Sequence, residues 1–207
     1  MRPQTFALII TGLLVAAAPS ALFAAPATVA SSAVVKQIDD LVARSVEREK
    51  AGKPAEAAAL MEEAAKLGEQ SAPTRLYLLY ERLMNLYANY DVAAQMRVTE
   101  KALVYVDKYF GPEDFRTASV HLLSALDADY KGDEAKMLRE APHWIAEMQR
   151  LAKTPDETDE SVTWAVVFAK QYMKRGRDAE ARELVETSIR KLEASPSERT
   201  IYGGIAY

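Results

Sequence analysis

The stretch from Arg75 to Asp91, RLYLLYERLMNLYANYD, limits the possible folds of this chain more than any other. Leu76, Leu79, Leu83 and Leu86 recur at helical spacing, and Tyr77, Tyr80, Met84 and Tyr87 repeat the spacing one residue later. Two apolar stripes lie side by side. Together they cover well over half the circumference and leave Glu81, Arg82, Asn85 and Asn89 as the polar strip. One neighbour cannot cover such a helix, so it must be flanked by others. The expectation is a central helix in an all-α fold.

The rest of the sequence supplies the neighbours. Val35, Ile38, Val42 and Val46, with Leu41 beside them, mark an amphipathic helix over 31–50, which Gly52 stops before Pro54 restarts the chain. A second helix over 55–67 places alanines on its packing face and Glu62, Glu63 and Lys66 outward, with Gly68 expected to close it. Helical spacing resumes over 92–110 through Met96, Leu103, Val106 and Phe110, and Gly111-Pro112-Glu113-Asp114 reads as a turn. The next helix, 115–130, is carried by Phe115, Ser119, Leu122, Leu126 and Tyr130 and broken by Lys131-Gly132-Asp133.

Ala135, Leu138, Ala141, Ile145, Met148 and Ala152 then keep one face across Pro142. An internal proline deletes a backbone donor and costs about 3 kcal/mol. Because the apolar register continues through it, one kinked helix is expected rather than two. Thr154-Pro155-Asp156-Glu157 is a capping box with proline at the first helical position; it opens a helix carrying Trp164, Phe168, Ala169 and Tyr172, which Gly176 ends. A last helix over 179–193 runs on Ala181, Val185, Ile189 and Leu192, and no strand is expected.

Helix, turn, helix, repeated about four times, is the pattern of units that bury their faces only against one another. The residues resemble tetratricopeptide repeats. In VTWAVVFAKQYMKRGRDAEARELVETSIRKL, Ala169, Tyr172, Gly176, Ala181 and Ser188 stand where that family places its small residue, aromatic, turn glycine and paired small residues of the second helix. Gly52, Ala57 and Ala64 repeat the later half of this spacing, with Arg48 in place of the aromatic. NLYANYDVAAQMRVTEKALVYVDKYFGPED is similar to the longer repeat of kinesin light chains, one residue short at its inner turn, where Asn89 replaces glycine. The unit containing Gly132 and Pro142 fits least.

The resemblance implies a right-handed superhelix of stacked antiparallel hairpins over 33–195, with a concave face for a peptide or protein. It also turns Lys170, Met173 and Lys174 toward that groove. A related helical-hairpin solenoid is the alternative. The lysine and asparagine set with which part of the family grasps a chain terminus has no match here. After Pro196 the segment 196–207, with Gly204 and Tyr207 at the spacing of Ala169 and Tyr172, resembles the start of a further repeat. It reads as a tail, a fold-back lid or a surface for self-association.

At the other end, Arg2 precedes an uncharged run from Phe6 to Pro19 and then a small-residue tract, the layout of a secretory signal. Residues 1–24 are expected to be this signal, cut near Ala24 or within Ala25-Pro26-Ala27, with 25–32 a flexible N-terminus. The alternative is an uncleaved anchor, for which the run falls short of the ~20 apolar residues a spanning helix needs. A periplasmic or secreted location follows from the signal. With no cysteine, neither lipidation at the cut nor a disulfide is available, so the mature chain relies on its core.

The chemistry legible in the sequence is sparse. The 26 Lys+Arg against 30 Asp+Glu, well mixed, argue against nucleic acid as a partner, because phosphate binding needs a concentrated basic face. His121 and His143 are the only histidines. Glu140 and His143 have the spacing of di-iron bundles but lack a second such pair, and no serine near His121 sits in a nucleophile elbow. Asp127, Asp129, Asp133 and Glu134 fail the spacing of a calcium loop and read as a solvated turn.

Tyr77, Tyr80 and Tyr87 suit either the core or a groove lining, where aromatic side chains give large contact areas. The expected site is therefore Tyr80, Tyr87, Lys170, Met173 and Lys174, with no cofactor and no metal. The expected function is a non-catalytic scaffold for a peptide or protein. A periplasmic binding protein for a small molecule or cell-wall fragment is the runner-up, and a hydrolase or metal enzyme a distant third.

Overall fold

The computed structural model of the chain describes residues 31–88 and 90–194. The expected signal over 1–24, the segment 25–30, Asn89 and the tail 196–207 lie outside the described residues. Within them the chain forms eight α-helices and one 3-10 turn, and no strand. These are α1 (Ser32–Lys50), α2 (Pro54–Ser71), the 3-10 turn Pro73–Arg75, α3 (Leu76–Tyr87), α4 (Val92–Tyr109), α5 (Phe115–Tyr130), α6 (Glu134–Leu151), α7 (Pro155–Met173) and α8 (Asp178–Ala194).

Short polar side chains begin most of them. Ser31, Asp91, Asp114 and Asp133 each accept a backbone N–H at the start of α1, α4, α5 and α6. Ser31 is the cap of α1 and Ser32 its first residue. Thr154 and Glu157 form the expected capping box on α7. Between helices, Gly52, Gly111, Gly132 and Gly176 take φ of 70°, 75°, 84° and 69°, a region that a Cβ disfavours.

Gly68 behaves differently from the expectation. It lies inside α2, which continues to Ser71, and it is buried. A Cβ there would stand 3.1 Å from both Leu76 Cδ2 and Leu79 Cδ1, so the glycine permits α3 to approach rather than ending α2.

The chain divides after Tyr109 into two compact units. In the first, α2 packs on both α1 and α3, and α3 on α4. Leu76, Leu79, Tyr80, Leu83, Met84, Leu86 and Tyr87 are all buried on α3, and Tyr77 is half-buried, so the double stripe is covered along most of its length. Cross-links set the directions. Tyr80 reaches Glu69 and Tyr87 reaches Glu62, so α3 runs against α2. Arg75 pairs with Asp39 and Arg82 with Glu49, so α3 runs with α1.

In the second unit α6 packs on α5 and α7, and α7 on α8. Phe115, Leu122, Met137, Ile145, Met148 and Phe168 form the centre of its core. Ser119 donates to Glu160 and Arg175 to Asp129, so α5 and α7 share a direction. Gln149 Nε2 donates to Ser188 Oγ at 2.6 Å, tying α6 to α8.

As the apolar register predicts, α6 is a single helix with Pro142 inside it. Proline has no N–H to offer the carbonyl four residues back, which is that of Leu138. The hydroxyl of Tyr172 on α7 donates to that carbonyl at 3.1 Å and fills the vacancy.

Candidate binding site

In the first unit, α2, α3 and α4 enclose a groove of about 420 Å³ that opens to solvent. Its apolar surface comes from Ala65, Leu83, Ala94 and Val98, with the Tyr80 ring. Around these stand Glu62, Lys66 and Glu69 from α2, and Arg97 and Lys101 from α4. The small residues follow from the packing pattern. Ala65 and Ala94 are buried faces of helices that also carry long charged side chains one or three positions away, so short and long side chains meet in one concavity.

Both groove carboxylates are anchored from beneath. Tyr80 is 5% exposed, and its hydroxyl donates to Glu69 Oε1 at 2.8 Å. Lys101 Nζ donates to the same oxygen at 2.9 Å. Burial works against the Glu69 charge, but these two donors outweigh it and hold the carboxyl below its ordinary range. Tyr87 is buried likewise and donates to Glu62 Oε1 at 2.5 Å. Burial first, then the bonded carboxylate, pushes both phenols well above their ordinary range, so they remain donors at any physiological pH.

The cations are placed differently. Glu62 and Lys66 have the spacing of a helical ion pair, yet Glu62 is held by Tyr87. Neither Lys66 nor Arg97 has an ion-pair partner among the described residues, and both are exposed. Arg97 and Lys101 are like charges four residues apart on α4, an arrangement that destabilises a helix.

The expected site residues fall in both units. Tyr80 lines the groove, and Tyr87 supports it through Glu62 without lining it. Their rings lie in the core, and their hydroxyls bond the Glu69 and Glu62 carboxylates at the groove. In the second unit Lys170, Met173 and Lys174 lie at the exposed C-terminal end of α7, Met173 at 59% exposure, and Lys174 Nζ donates to Gln171 Oε1 at 3.3 Å. Sequence reasoning missed Lys66, Glu69, Arg97 and Lys101. No local signal marked them, because in the sequence each is one more charged side chain on the outer face of an amphipathic helix.

The other polar clusters pack within the second unit. His121 stacks on Trp144 with centroids 4.2 Å apart, and exposed His143 tilts against the same ring at 4.7 Å. The acidic turn is less solvated than expected. Asp127 is 4% exposed, Asp129 pairs with Arg175, Glu134 lies 3.3 Å from Arg175, and Asp133 caps α6. Among the described residues no three His, Cys, Asp or Glu side chains gather to hold a metal ion. Glu160 is held between α5 and α7 by Ser119 Oγ at 2.8 Å and by the Trp164 indole; burial outweighs these donors and pushes its carboxyl above the ordinary range.

No helix among the described residues is long and apolar enough to cross a membrane. Compared with protein-family models and with curated proteins, the chain matches none. The described part of the molecule is therefore defined by its own geometry: an all-helical protein of two compact units, the first bearing a charged groove.

Proposed function

We propose that this protein is an exported, non-catalytic interaction module of the tetratricopeptide-like kind, built from stacked antiparallel hairpins, that holds a peptide or another protein. The observation that carries the reading is the groove on α2, α3 and α4, whose apolar bed and tyrosine-anchored carboxylates are formed before any ligand arrives. Preorganised side chains lower the entropic cost of binding, which suits a site that recognises rather than reacts. The alternation of helix directions within each unit supports the hairpin arrangement, and the layout of residues 1–24 supports export to the periplasm or medium. Met173, with Lys170 and Lys174, offers a second contact surface on α7.

The groove volume also favours the runner-up, since small-ligand pockets span roughly 300–1,000 Å³. Photocrosslinking in the native compartment separates the two, with the photoreactive residue placed at Lys66 and, separately, at Met173. A discrete protein captured from either position is the expected result. Saturable binding of a soluble glycan or lipid, with no protein captured from either, would replace the proposal by the runner-up.

A further inference from the structure

From the charges of this groove we infer that its occupant is an acidic peptide segment, whose side-chain carboxylate sits between Lys66 of α2 and Arg97 of α4. This rests on the peptide-binding reading above and adds the chemistry of the ligand. The charges of the groove are unequally satisfied. The groove holds three cations, Lys66, Arg97 and Lys101, and two anions, Glu62 and Glu69.

Both anions are taken from below. Glu62 accepts the Tyr87 hydroxyl, and Glu69 accepts the Tyr80 hydroxyl together with Lys101. The tyrosines are fixed by their buried rings, so these bonds form as part of the core and do not wait for a ligand. Lys66 and Arg97 keep no ion-pair partner among the described residues, although acidic side chains lie in the same groove. Arg97 also repels Lys101, and an incoming carboxylate relieves that repulsion while gaining charge-assisted hydrogen bonds, bidentate at the guanidinium.

The apolar bed selects what accompanies the charge. Ala65, Leu83, Ala94 and Val98 receive an aliphatic side chain next to the acidic one, so alternating acidic and aliphatic residues match the site. A basic segment meets Lys66, Arg97 and Lys101 directly and is rejected.

The test is fluorescence anisotropy on the full chain, using a fluorescein-labelled octapeptide that alternates leucine and glutamate. Counterparts carry glutamine or lysine in place of glutamate. The glutamate peptide should bind at least tenfold tighter than the glutamine peptide, and the lysine peptide weakest. The double variant Lys66→Glu, Arg97→Glu should lose at least tenfold for the glutamate peptide with an unchanged circular dichroism spectrum, since both side chains are exposed. Arg44→Glu on α1, outside the groove lining, should leave affinity unaltered.

Equal affinity for the glutamate and glutamine peptides, or an equal loss in Arg44→Glu, overturns the inference while leaving a peptide-binding module in place. Failure of all three peptides to bind at millimolar concentration overturns the inference as well, whereas the interaction-module reading stands or falls on the photocrosslinking.

Discussion

Two acid contacts, one enclosed between helices and one at the rim of the groove, illustrate how differently single residues respond to their surroundings. Glu160 has its folded pKa raised by burial, so it binds its proton more readily folded than unfolded. Its contribution is therefore fully present below the ordinary carboxylate range and is lost as pH rises through the raised folded value. Glu69 is the reverse. Its lowered folded pKa gives stability that is present above the ordinary range and lost as pH falls through the folded value. Glu160→Gln keeps an acceptor for Ser119 and Trp164 and removes the ionisation, so unfolding midpoints measured across weakly acidic to neutral pH should rise at the neutral end and depend less on pH. Tyr80→Phe keeps the ring and deletes the donor to Glu69; chemical denaturation should report a loss of about 0.5–1.5 kcal/mol, the net value of one hydrogen bond.

At the scale of elements, α6 and α7 depend on each other through the carbonyl that Pro142 cannot serve. Tyr172→Phe alone leaves that carbonyl without its partner and should cost about 1–3 kcal/mol. In a Pro142→Ala background the alanine N–H can close the helix bond, and the cost of removing the hydroxyl should shrink. A double-mutant cycle in urea measures the difference; strict additivity would show that the hydroxyl and the missing donor are unrelated.

The same pair marks the limit of what sequence conveys. The helix starts were legible because caps and prolines act locally, as at Thr154-Pro155-Asp156-Glu157, and the breaks at Gly52, Gly111, Gly132 and Gly176 were legible because φ is a local property. Gly68 misled because its reason lies on another helix, in Leu76 and Leu79. Within the groove, Tyr80 could be nominated from its stripe, whereas Lys66 and Arg97 could not. An unpaired cation looks like any solvated one until the acids nearby are seen to be occupied.

For the whole molecule, the division after Tyr109 gives each half its own core. Met61 is fully buried in the first unit, and Met61→Ala should cost about 2–5 kcal/mol there. The expected outcome in urea is a two-step loss of helical circular dichroism with only the earlier step displaced by the mutation. A single transition that shifts as a whole would show that the halves unfold together. Both tryptophans, Trp144 and Trp164, belong to the second unit, one against His121 and the other against Phe168 and Glu160. Nature has thus fitted one half with an optical reporter and left the other spectrally dark: indole emission follows the melting of the half without the groove, and the groove's half can be read separately by a single tryptophan engineered into its place.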